Sequence, residues 1–281
     1  MRNGGNAMTE DHEKTIQARQ AKIDASTQAV PLHKEQPMII KALAVAATLI
    51  GLFVIQRATG KLGWAVADWF QWEKIDPDQS FTRLSMHHLV QMILVAALIW
   101  IFKRFIQKEF GFQTGDVRTG GRIVLIFSLS ITGIALAYHL LMQRIGNLPV
   151  YAYPLSVRNV LGSLGFQLLI CGPSEEIVYR ALPVTLLLSV FGRSIRITED
   201  ISLEVVLTAL LFAAAHVSWS GFPASVREWN LFPLLYAFAM GVLNGAVYQK
   251  TRSILYPMAM HSISNFVMVG TGYLFHLLQQ A

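Results

Sequence analysis

The sequence predicts an all-α, polytopic membrane bundle of about seven or eight transmembrane helices. Three observations predict it. Hydrophobic residues make up 53% of the 281 and charged residues only 14%, where a soluble chain carries about 25%. The mean hydropathy is +0.45. The apolar residues also gather in seven runs, and a spanning helix needs about 20 such residues.

The first element is a polar tail, Met1 to Pro37, with mixed charge and too little apolar surface for a core. It does not read as a signal peptide, because the first apolar run starts only near Met38. Residues 38–158 form an N-terminal transmembrane region, with spans expected at Met38–Gln56, Met86–Phe102 and Ile123–Gln143. Between the first two lies Leu62–Trp72, too short to cross and rich in tryptophan, which predicts an interfacial helix at headgroup level. Residues 159–275 form the remaining helical core. Its spans are expected at Asn159–Phe191, Ile201–Trp219, Leu231–Gln249 and Ile254–Leu278. Asn159–Phe191 is too long for one straight span. Gly172-Pro173 lies inside it, and proline removes a backbone donor and kinks a helix.

Positive charge orients the chain. Lys103, Arg104 and Lys108 follow the second span, Arg193 and Arg196 the fourth, and Lys250 and Arg252 the sixth. These are alternate connections, on the side of the tail's own Arg2, Lys14 and Lys22. The expectation is an integral, multi-pass protein of a bacterial inner or plasma membrane, its N-terminus cytoplasmic. The +6 net charge is explained by topology, so nucleic acid is not expected as a partner. The single cysteine, Cys171, excludes an intrachain disulfide and a multi-cysteine metal site, and it reads as a small packing residue.

Two adjacent carboxylates, Glu175 and Glu176, interrupt the fourth apolar run. A carboxylate at membrane depth costs several kcal/mol unless paired or wetted, so it marks function. Glu176 and Arg180 are four apart and share a helix face; Glu175 does not. This divides their work. Glu176 is neutralised by Arg180 and serves structure, while Glu175 stays free for proton transfer. His216 follows Phe212 by four residues, and His261 and Asn265 are again four apart, which presents an imidazole and an amide donor on one face. Aimed donors of this kind stabilise a developing oxyanion. Gly241 and Gly245 make a close-packing face, with Asn244 between them as a candidate polar contact to the site. His87 and His88 read as interfacial, His139 and His276 as packing residues. A His-Glu-x-x-His zinc motif, a P-loop and a nucleophile elbow are absent from the sequence. His216, His261 and a glutamate would still make a three-ligand zinc site, so zinc stays open as a cofactor. A linear depth map puts Glu175 at mid-membrane but His216 and His261 toward opposite ends of their spans.

Glu-Glu-x-x-x-Arg at Glu175, Glu176 and Arg180, Phe-x-x-x-His at Phe212 and His216, and His-x-x-x-Asn at His261 and Asn265 occur in that order. Together they resemble the CPBP family, the CAAX-processing and bacteriocin-processing (Abi) intramembrane endopeptidases, which includes the Ras-converting CAAX endopeptidase. The resemblance implies hydrolysis of a peptide bond in a membrane-associated protein or peptide by a glutamate-activated water, with metal dependence left open. It implies Glu175 as general base, His216 as the residue that holds the water, His261 and Asn265 as oxyanion donors, and Glu176 with Arg180 as support. The alternatives are a bacteriocin-immunity or peptide-binding protein on the same fold, and a proton-coupled transporter using Glu175 and His216 as a relay.

Overall fold

The computed structural model describes residues 37–220, 225–228 and 231–280. The polar tail expected over residues 1–37 lies outside them except for Pro37. The chain divides into two units, Met1–Lys41 and Ala42–Ala281. In the first, only Pro37 and the opening turn of the first helix are described.

The regular structure of the described chain is helical apart from one small ribbon and an isolated bridge between Arg196 and Ser202. The helices are α1 Met38–Ala67, α2 Thr82–Phe102, α3 Val117–Arg144, α4 Val157–Phe166, α5 Gly172–Glu176, α6 Leu182–Phe191, α7 Leu203–Ala215, α8 Leu231–Thr251 and α9 Leu255–Gln280. Ser218–Ser220 (β1) and Ser225–Glu228 (β2) pair as an antiparallel ribbon. Among the described residues, α1, α2, α3 and α8 are long and apolar enough to cross a membrane. The fold is the expected all-α membrane bundle.

Helix α1 runs through Ala67, so Leu62–Ala67 continues the first span instead of forming a separate interfacial helix. The glycines there serve close approach. A Cβ on Gly63 would meet the His87 carbonyl oxygen at 2.7 Å, and the Trp64 ring stacks on His87 at 4.1 Å. The chain then turns at Asp68 and reaches α2 through Asp76. The Asp76 carboxylate accepts from the backbone N–H of Ser80, Phe81 and Thr82 at 2.8–2.9 Å, satisfying donors that a helix start leaves orphaned. Burial alone would push its carboxyl up, but the N–H groups of Thr82, Phe81 and Ser80 outweigh it and hold it below the usual carboxylate range. A depressed folded value contributes stability above the unfolded value near about 4 and loses it as pH falls through the folded one. Asp76→Ala is therefore expected to lower stability by about 2 kcal/mol at neutral pH. In thermal melts against pH, the gap to wild type should close under acid conditions.

The fourth apolar run is one unbroken helical path from 157 to 191, locally widened at two places. A π turn at Gln167–Cys171 ends two residues before Pro173, and a second at Ile177–Ala181 ends two residues before Pro183. Each proline lacks the N–H that an α turn would use and crowds the carbonyl four residues back; a wider turn accommodates both defects. The expected kink is thus absorbed as two π turns flanking the glutamate pair.

Helix α7 is shorter than the predicted fifth span. It has 13 residues, about 20 Å at 1.5 Å per residue, against an about 30 Å hydrocarbon core. It stops because Val217-Ser218 disfavours helix and because the His216 side chain caps the end. His216 Nδ1 donates to the Phe212 carbonyl at 3.0 Å, one of the carbonyls left free at a helix C-terminus. The Gly241/Gly245 face of α8 packs on α7: a Cβ on Gly241 would meet Ala209, and one on Gly245 would meet Val205, both inside 3.0 Å.

At one end of the bundle the connections after α2, after α6 and between α8 and α9 converge. Ile254 N donates to the Gly111 carbonyl at 2.7 Å, Tyr256 Oη to the Thr114 carbonyl at 2.8 Å, and Lys250 Nζ pairs with Asp200 at 3.0 Å. These are the basic loops that the charge pattern set on one side. Buried Glu204 anchors this end, accepting from Ser194 Oγ, Ile195 N and Gln249 Nε2.

Candidate active site

The close crossing of the 157–191 path with α9 builds the site. Gly172 sits against Ser262, where a Cβ would approach the Ser262 backbone N at 2.7 Å and the Met258 carbonyl at 2.9 Å. Only a residue without a side chain permits this approach, which sets Glu175 and Glu176 beside His261.

The two carboxylates have different surroundings. Glu176 is fully buried with Arg180, Nη1 to Oε1 at 3.1 Å across the i,i+4 spacing. The same oxygen accepts from Asn244 Nδ2 at 3.0 Å and from His261 Nδ1 at 2.7 Å. Arg180 also lies over the Phe212 ring, 4.0 Å from its centroid. The side chain of Glu175 is 18% exposed and faces a cavity, with His261 Nε2 3.4 Å from its Oε2. His261 thus bridges the pair: Nδ1–H is committed to Glu176, and Nε2 faces Glu175. Glu176 makes the ion pair with Arg180 that the four-residue spacing predicts, and Glu175 lies outside that pair.

Phe212 is the hub of the site. Its ring meets Arg180 on its face and the rings of Tyr179, His216 and His261 at 5.1, 4.8 and 5.9 Å. The spacing of four between Phe212 and His216 has a second purpose. A carbonyl can only accept, so the bond to Phe212 O puts the proton on His216 Nδ1 and leaves Nε2 bare.

Glu175, His216, His261 and Asn265 all line one cavity of about 350 Å³, together with His88 and Cys171. Phe166, Phe232, Met240 and Met268 give it an apolar wall. A larger cavity of about 590 Å³ lies at the loop end among Arg196, Lys250 and Glu109, and none of these four residues lines it. The linear depth map is corrected here. Because α7 is short, His216 follows its last residue and reaches the same cavity as Glu175.

Asn265 Nδ2 donates to Cys171 Sγ at 3.2 Å. Sulfur is a weak acceptor, so this N–H is readily surrendered to a stronger one. Cys171, expected to be packing only, and His88, expected at the interface, both belong to the cavity wall. His88 is buried because α2 turns its polar stripe, His88 and Gln91, into the bundle with Val95 and Ile99. Polar residues repeating on one face of an otherwise apolar span are the sequence signal for this placement. Asn244, by contrast, makes the contact to the site that its position between two glycines suggested. His139 packs as expected, hydrogen-bonded to Ala135 O and Thr271 Oγ1 at 3.0 Å each.

Residues 157–267 match the family model described as Type II CAAX prenyl endopeptidase Rce1-like. This segment is similar to that endopeptidase family. All seven motif residues fall inside it, and the long apolar helices make the chain an integral membrane protein. No curated protein and no solved structure matches the chain. Among the described residues, the cluster with metal-ligand geometry is His88, Cys171 and Glu175, with one ligand atom from each inside 4.8 Å. It is not the His216, His261 and glutamate set considered from sequence.

Proposed function

We propose that this chain cleaves a peptide bond of a membrane-associated protein or peptide inside the 350 Å³ cavity, using Glu175 as general base and no metal. The observation that carries this reading is the unequal pair. Glu176 is fully buried and held through one oxygen by Arg180, Asn244 and His261, whereas Glu175 opens on the cavity that His216 and Asn265 also line. A water between Glu175 and His216 gives its proton to Glu175, and the hydroxide adds to the scissile carbonyl carbon. The oxyanion takes hydrogen bonds from Asn265 Nδ2–H and from His261, whose second proton comes through its contact with Glu175. Collapse breaks the C–N bond, and that same proton returns from His261 through Glu175 to the departing amine. Glu176 holds His261 in register and is a positioning residue. The basic loop end is placed in the cytoplasm, with a bacterial inner membrane as the setting.

Asn265→Ala tests the assignment. In liposomes with a cleavable membrane-associated peptide, kcat should fall by about 100-fold or more, with KM nearly unchanged, as for loss of one oxyanion donor. A rise in KM alone would make Asn265 a binding residue and remove the oxyanion role.

A further inference from the structure

We infer that His88, Cys171 and Glu175 form a soft-cation site, and that zinc bound there switches the proposed peptidase off. The inference rests on the reading of Glu175 as general base. It starts from one nitrogen, one sulfur and one oxygen ligand whose donor atoms lie within 4.8 Å of one another. These are the donor types zinc prefers, in the number that leaves its fourth position open. All three residues line the cavity, which provides the route in.

The surroundings orient each ligand. Ser174 Oγ donates to the Cys171 carbonyl at 2.9 Å. Its hydroxyl therefore accepts from His88 Nδ1, also at 2.9 Å. That leaves Nε2 of His88 without a proton, as a metal ligand requires. Asn265 steadies Cys171 Sγ, and His261 lies against Glu175. Charge balances as well. Cys171 gives up one proton on binding, so a thiolate and a carboxylate offset the two positive charges of the cation. A neutral assembly is the form a buried, low-dielectric cavity tolerates. Once ligated, the Glu175 carboxylate shares its charge with the cation and is a weaker base for the water proton, and Cys171 no longer serves Asn265 as before. Both changes oppose hydrolysis.

The test uses the full chain, purified in detergent and stripped by chelator. Cobalt(II) should bind with a sulfur-to-cobalt charge-transfer band that zinc abolishes by displacement. The band should be lost in Cys171→Ser and lost or strongly weakened in His88→Gln. In cleavage assays zinc should stop the wild-type chain, and the half-inhibitory concentration should rise at least about 10-fold in Cys171→Ser. Absence of the band in wild type, or its persistence in Cys171→Ser, would overturn the site. Restoration of a stripped, inactive enzyme by zinc would overturn the inhibitory role. A Cys171-dependent band in a chain that cleaves nothing would leave the site standing and sink the peptidase reading.

Discussion

Glu175→Gln is expected to abolish peptide cleavage, lowering kcat by about 1,000-fold or more, while membrane insertion and thermal stability stay near wild type. Loss of a positioned general base accounts for up to about 10⁴-fold, and the amide cannot accept the water proton. The side chain keeps its shape and sits partly open to the cavity, outside the buried ion pair. Little stability is therefore at stake. The comparison with Glu176→Gln sharpens this. Glu176 is ion-paired with Arg180 and accepts from Asn244 and His261, all buried, so its variant should lose stability and activity together. A Glu175→Gln chain that cleaves at full rate would remove the mechanism.

The second large effect is on folding. Arg180→Ala should lower stability by about 3–5 kcal/mol, the cost of leaving one partner of a buried ion pair alone. In thermal unfolding this is a fall of roughly 10 °C in Tm. Arg180 and Glu176 are both fully excluded from solvent, so Glu176 would have no water to replace the lost charge. Arg180→Lys should restore only part of it, since lysine lacks the flat guanidinium that covers the Phe212 ring. Combining Arg180→Met with Glu176→Gln should recover stability relative to Arg180→Met alone, because the two sites share one interaction. It should not recover activity, because His261 loses the carboxylate that orients it.

The residues whose meaning lies within one helix were legible in the sequence. The Glu176–Arg180 pair and the free Glu175 follow from four- and five-residue spacings, and the structure keeps both across a π turn. The apolar runs located the helices because their length answers to membrane thickness. Relations between elements were harder to read. Where α7 stops depends on His216 capping its own helix through Phe212 O, and that stop sets the depth of His216. The polar stripe of α2 announces that His88 turns inward, but Cys171 joins the cavity through the approach of α9 to the 157–191 path, which no local spacing announces. The interfacial helix was misjudged for a related reason. Gly60 and Gly63 look like breaks in a linear reading, yet they are where α2 presses against α1 through His87 and Gln91.

The most direct test of the central claim is terminal-peptide mass spectrometry on host membranes carrying either the native chain or Glu175→Gln at matched, verified insertion. The account predicts new peptide ends in membrane-associated proteins that appear with the native chain and vanish with the variant, naming substrate and cut site together. The same ends in equal amount from the Glu175→Gln membranes would contradict it.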